Sequence, residues 1–104
     1  MSAVAQVFAA LGDPVRLEMV RRLSRHQPCT IAEVSAGLGI TRQGARKHLQ
    51  VLADTGLVAL APHGREVHVA LDRRRLEPAC SFLEKLEQQW DRRLLALKRA
   101  VEEE

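Results

Sequence analysis

Between Ala79 and Val101 the chain sets apolar side chains at positions 79, 83, 86, 90, 94, 97 and 101, a spacing of 4-3-4-4-3-4. That period puts all of them on one stripe of a helix roughly 37 Å long. Folding the stripe back over the chain's own core runs out of partner surface in 104 residues. A second copy of the chain, packed knobs-into-holes, supplies the missing face. The sequence therefore predicts a C-terminal dimerisation helix over 78–103, with Leu83, Leu86, Trp90, Leu94, Leu97 and Val101 on its seam. Pro78 cannot lie deep inside a helix, so 72–77 is expected to be a short turn.

Upstream, the punctuation is that of short helices. Val4, Val7, Phe8 and Leu11 fall at helical spacing and stop at Gly12. Asp13-Pro14 restarts the chain, Asp as cap and Pro at the first helical position, and this second helix runs to about Arg25. After the connector His26-Gln27-Pro28-Cys29, Thr30 and Glu33 form a capping-box pattern. Thr41 caps a further helix with Ala45, Leu49 and Leu52 inward. Two helices, about 30–36 and 41–54, thus meet across Gly37-Leu38-Gly39-Ile40, the layout of a helix-turn-helix spanning 30–54. Val58 and Leu60, then Val67, Val69 and Leu71, alternate as two strands around Pro62-His63-Gly64-Arg65, giving a hairpin, or wing, over 57–71. The expected fold is mainly α with a small β-hairpin: one winged helix-turn-helix domain over 1–104, its N- and C-terminal helices forming a dimer interface.

Composition narrows the function classes. With two Phe, one Trp and no Tyr, the core must be aliphatic. A formal charge of +3 is too small to identify a nucleic-acid binder, but its placement is informative. Residues 41–53 hold Arg42, Arg46, Lys47 and His48 and no acid. Two cysteines are too few for a secreted disulfide framework. The N-terminus lacks a signal-peptide pattern, and no apolar run approaches a membrane span, so a cytoplasmic protein with no membrane partner is expected. No nucleophile–base constellation, phosphate loop or cofactor fingerprint is present, so neither enzymatic activity nor a cofactor is expected.

Ala10-Leu11-Gly12-Asp13-Pro14-Val15-Arg16-Leu17 resembles the opening motif of the ArsR/SmtB family of bacterial winged-helix repressors. Thr41-Arg42-Gln43, Lys47-His48-Leu49, Val51-Leu52 and Gly56-Leu57-Val58 resemble that family's recognition helix and the start of its wing. The stretch from Phe82-Leu83 through Trp90-Asp91 to Leu97 is similar to a subgroup without the usual metal motifs. The resemblance implies a nucleoid-associated homodimer, joined through its first and last helices, that binds palindromic double-stranded operators and represses. Val4 and Phe8 then join the dimer interface. Relatives often carry Ser or Thr where this chain has Arg46, so operator sequence does not carry over.

On DNA, Thr41, Arg42, Gln43 and Arg46 lie at the leading end of the recognition helix. An arginine fork suits guanine O6 and N7, and a glutamine amide suits adenine. Lys47 and His48 are expected at phosphates, or as packing groups at the helix edge, and His63 and Arg65 at the tip of the wing. Thiolate metal sites of the family need Cys-x-Cys in the third helix, where this chain has Thr30 and Ala32, and no His follows His68. No metal site is expected, and a small-molecule inducer is unspecified. Two alternatives stand: a thiol-redox-responsive repressor using Cys29 and Cys80, and a winged-helix module that binds protein and not DNA.

Overall fold

Local hydrogen bonds written into the sequence set most element boundaries in the computed structural model, which describes residues 2–103. Met1 and Glu104, the ends of the expected 1–104 domain, lie outside the described residues. Helix α1 (Ala3–Leu11) is capped by Ser2, whose Oγ accepts from Ala5 N at 3.1 Å. Helix α2 (Pro14–Arg25) starts on Asp13, whose Oδ1 accepts from Val15 N at 2.9 Å and Arg16 N at 3.1 Å. The capping box of α3 (Ile31–Ser35) is complete: Glu33 N donates to Thr30 Oγ1 at 3.1 Å and Thr30 N to Glu33 Oε1 at 3.0 Å. Helix α4 (Arg42–Asp54) is capped by the Thr41 hydroxyl. Between α3 and α4, Gly37 and Gly39 have φ of 73° and 69°, left-handed values that a β-carbon would penalise. The tight helix-turn-helix corner depends on both.

Strands β2 (Val58–His63) and β3 (Glu66–Leu71) pair antiparallel, Val58 against Leu71 through His63 against Glu66. Two details of the wing differ from the expected one. Pro62 and His63 belong to β2, which leaves Gly64-Arg65 as a two-residue turn. Proline is tolerated there because β2 is an edge strand, where the missing N–H leaves no ladder bond unmade. The connector also contributes a strand, β1 (Cys29–Thr30), pairing Cys29 with Val69 and Thr30 with His68. The sheet order is β1-β3-β2. A 3₁₀ turn over Arg73–Arg75 fills the predicted gap, and α5 runs Glu77–Glu102.

The core is aliphatic and lies inside α1 to β3. Met19, Leu23, Val34, Leu49, Leu52, Leu57 and Val69 are wholly buried. Of α5, only Ala79 is buried. The molecule measures 69 × 26 × 24 Å with a radius of gyration of 18.5 Å, against ~13 Å for a compact chain of this length. The excess is α5, which leaves the body after its first turns. Among the described residues, no helix is long and apolar enough to cross a membrane.

Candidate nucleic-acid interface

Helix α4 divides by angle. Ala45, Leu49 and Leu52 face the core, Gln43, Arg46 and Lys47 are exposed and turned away from it, and Arg42, about 20° from Leu49 around the axis, is exposed because it lies in the first turn. The buried side anchors the helix on α2, α3 and the sheet and so fixes the direction of the basic side. Thr41 sits at its tip with the hydroxyl oxygen accepting from Gly44 N at 2.9 Å, so this side chain shapes the helix start.

The wing brings a third cation to the same face. Arg42 and Arg46 from α4 and Arg65 from the hairpin turn line one groove of about 390 Å³ together with Thr30 of β1 and Ile31, Ala32 and Ser35 of α3. A smaller hollow of about 260 Å³, reached by Arg46, Gln50 and Pro62, adjoins it. Sequence reasoning missed two of these residues. Glu66 places a carboxylate on the rim of the arginine groove, and Gln50 follows Arg46 by one turn on the exposed arc, its amide donating to Asp54 at 2.8 Å. The 100° step of the helix was signal enough for Gln50. Glu66 required the hairpin register.

Of the predicted residues Arg42, Arg46 and Arg65 line the groove; Thr41, Gln43 and Lys47 are exposed beside it in the first turns of α4, and the two histidines make contacts elsewhere. His63 stacks on His68 across the hairpin, ring centroids 4.5 Å apart, on the outer face of the wing. His48, two residues and about 200° beyond Arg46, is half-buried. Its Nδ1 lies 3.2 Å from Arg16 Nη1 and 3.9 Å from Asp13 Oδ1. Of the two roles expected for it, the packing role at the helix edge matches this position.

The predicted seam residues also separate by helix. Val4 and Phe8 of α1 are half-buried, and Phe8 meets Phe82 edge-on at 5.9 Å, which clamps α1 to the base of α5. Leu83, Leu86, Trp90, Leu94, Leu97 and Val101 are all exposed, Trp90 at 60%. Phe82 and Leu95 extend this apolar surface beyond the predicted stripe.

Both cysteines are free thiols in different surroundings. Cys29 is buried, its Sγ donates to His26 O at 2.9 Å, and burial followed by the Glu33 charge pushes its thiol up from the usual value. Cys80 is exposed on α5. Among the described residues no group of three or more His, Cys, Asp or Glu is placed to hold a metal ion.

Comparison with known proteins agrees with this geometry. The profile of a family described as "Helix-turn-helix domain" matches residues 11–61. An ArsR-like transcriptional regulator from Rhodococcus sp. RHA1 superposes with a TM-score of 0.71 at 35% identity, over 93% of this chain and 91% of that one. The transcriptional regulator CmtR of Mycobacterium tuberculosis is 37% identical over 70 residues, 67% of this chain but 58% of CmtR. Its solved structure, described as a cadmium metal-sensor, gives a TM-score of 0.55. The homodimeric winged helix-turn-helix domain of Mb0332 from Mycobacterium bovis shares the fold at 22% identity, with a TM-score of 0.62 over 88% of this chain and 82% of that one.

Proposed function

Because this chain belongs to the ArsR/SmtB family of winged helix-turn-helix transcriptional regulators, we propose that it acts as a cytoplasmic homodimeric repressor of palindromic operators, without a metal site. The observation that carries the reading is the groove where Arg42 and Arg46 of α4 and Arg65 of the wing converge. With α4 in a major groove, Arg42, Gln43 and Arg46 reach base edges, each good bidentate pair being worth about 1–3 kcal/mol of discrimination. Lys47 and Arg65 neutralise phosphates, which sets register and makes binding fall with salt. Repression follows from occupancy, since a dimer lying across two successive major grooves excludes polymerase from a promoter it overlaps.

The second copy supplies what α5 lacks. Each half-exposed side chain on α5 gains roughly 1 kcal/mol on being covered. Covering most of them in both copies gains on the order of 10 kcal/mol, against the ~4–15 kcal/mol that association costs. The spacing 4-3-4, repeated from Ala79 to Trp90 and again from Trp90 to Val101, is an 11-residue repeat. It supports nearly straight or slightly right-handed packing, a refinement of the left-handed coil that knobs-into-holes packing suggests. The pairing must hold the recognition helices one DNA turn apart, roughly 34 Å.

The thiol-responsive alternative finds little support, because the buried Cys29 is held as a thiol and thiolates are what react. A protein-interaction module would be favoured by an acidic or apolar recognition face, whereas three arginines line this groove. The reading is tested by fluorescence anisotropy on DNA upstream of the protein's own gene at two salt concentrations, with random duplex as control. Specific, salt-dependent binding is expected. Absence of binding at low salt would overturn it in favour of the protein-interaction module.

A further inference from the structure

The contact that draws His48 away from the groove ties three helices together. Arginine carries no acceptor, so Arg16 Nη1 donates and His48 Nδ1 accepts across their 3.2 Å separation. The neutral ring then holds its proton on Nε2. The same guanidinium donates from Nε to Ala10 O at 2.7 Å, in the last turn of α1. Asp13 Oδ1 stands 3.9 Å from the His48 ring while capping α2 through the Val15 and Arg16 amides. One guanidinium fork therefore joins the end of α1, the start of α2 and the middle of α4. Helix α1 is the element that Phe8 clamps to Phe82 of α5.

We propose that Arg16 and His48 are positioning residues: they lock the recognition helix to the α1–α2 corner and so fix the distance between the two recognition helices of the dimer. This rests on the reading of the chain as a DNA-binding dimer and gives that reading a specificity device. The fork geometry matters, because a lysine at 16 keeps the charge but carries its donors on one nitrogen, without the fork that sets Nε on Ala10 O and Nη1 on His48. The ring nitrogens matter separately. Asparagine at 48 presents an acceptor near the place of Nδ1, whereas glutamine presents its amide near the place of Nε2.

The experiment uses a duplex selected by the wild-type protein from a random-sequence pool. Binding is then measured on versions with the half-sites moved apart or together by one base pair, and on a duplex with a single half-site. The wild type is expected to prefer its selected spacing by tenfold or more. Arg16→Lys and His48→Gln should flatten that preference to within about threefold, while His48→Asn restores it. Arg16→Lys should leave single half-site binding unchanged. If His48→Gln behaves as wild type while His48→Asn fails and its salt slope is shallower, His48 touches phosphate through Nε2 and the proposal is overturned. Wild-type spacing preference in all three variants, with thermal unfolding unchanged, reduces the contact to packing and also overturns it. Failure of the wild type to select any duplex strikes the DNA-binding reading itself and is told apart by that control.

Discussion

Leu49 and Leu97 are the same side chain on two helices of one small chain, yet the first is sealed from solvent and the second is 63% exposed. Both lie on apolar stripes of helical period. What differs is the surroundings: α4 is enclosed by α2, α3 and the sheet, whereas the large apolar side chains of α5 from Phe82 onward are all exposed. Regular periodicity thus guarantees that a face seeks cover and says nothing about which chain provides it. The body of this protein is a self-contained fold, and its last helix presents an uncovered apolar face, which the proposed dimer would cover with a second copy.

The sharpest way to break the comparison is to empty a site on each side. Leu49→Ala removes a fully buried side chain and should cost about 2–5 kcal/mol of folding stability, read as a lowered denaturation midpoint at any protein concentration. Trp90→Ala should cost about 2–4 kcal/mol of self-association, read by sedimentation, with the circular dichroism of the body intact. If Trp90→Ala unfolds the isolated chain without changing its association, Trp90 belongs to the core of the body and the two regions are not separate.

Arg46→Ala lies on the exposed arc of α4 and should leave both regions as they are. It should weaken a cognate duplex by about 1–3 kcal/mol and random DNA much less; equal losses on both would make Arg46 a phosphate contact. Smallest is an acid-side effect on the back of α2. The hydrogen bond from Arg21, joined by one from Arg22, holds the Glu18 carboxyl down to about 2 from the ordinary 4.5. A depressed carboxylate favours the folded chain, so this contribution is complete above pH 4.5 and is lost as pH falls toward 2. The pair is exposed, so solvent screens it. Glu18→Gln should remove a slight stability slope in that window and leave association untouched, as pH-dependent thermal unfolding can check.

The sequence was most legible where a boundary is decided by neighbours a few residues away. Asp13-Pro14, the Thr30 and Glu33 pair and Thr41 each mark a helix start that the structure keeps, because a cap bonds within its own turn. It was least legible where the partner is distant. Strand β1 is only Cys29 and Thr30, too short to show alternation, and it exists because β3 offers a free edge. His48 looked like one of four basic residues along the recognition helix, yet Asp13 and Arg16, 32 or more residues earlier, draw it inward. Glu66 entered the groove through a hairpin register set by the Gly64-Arg65 turn. The apolar stripe on α5 was readable in position, and the structure leaves it exposed.

The most direct test of the central claim is sedimentation equilibrium of the wild-type chain, alone and with a selected two-half-site duplex. The account predicts a species of twice 11.6 kDa in the absence of DNA and two chains on each duplex. A chain that stays at 11.6 kDa across the micromolar range and occupies a duplex one copy at a time would contradict it.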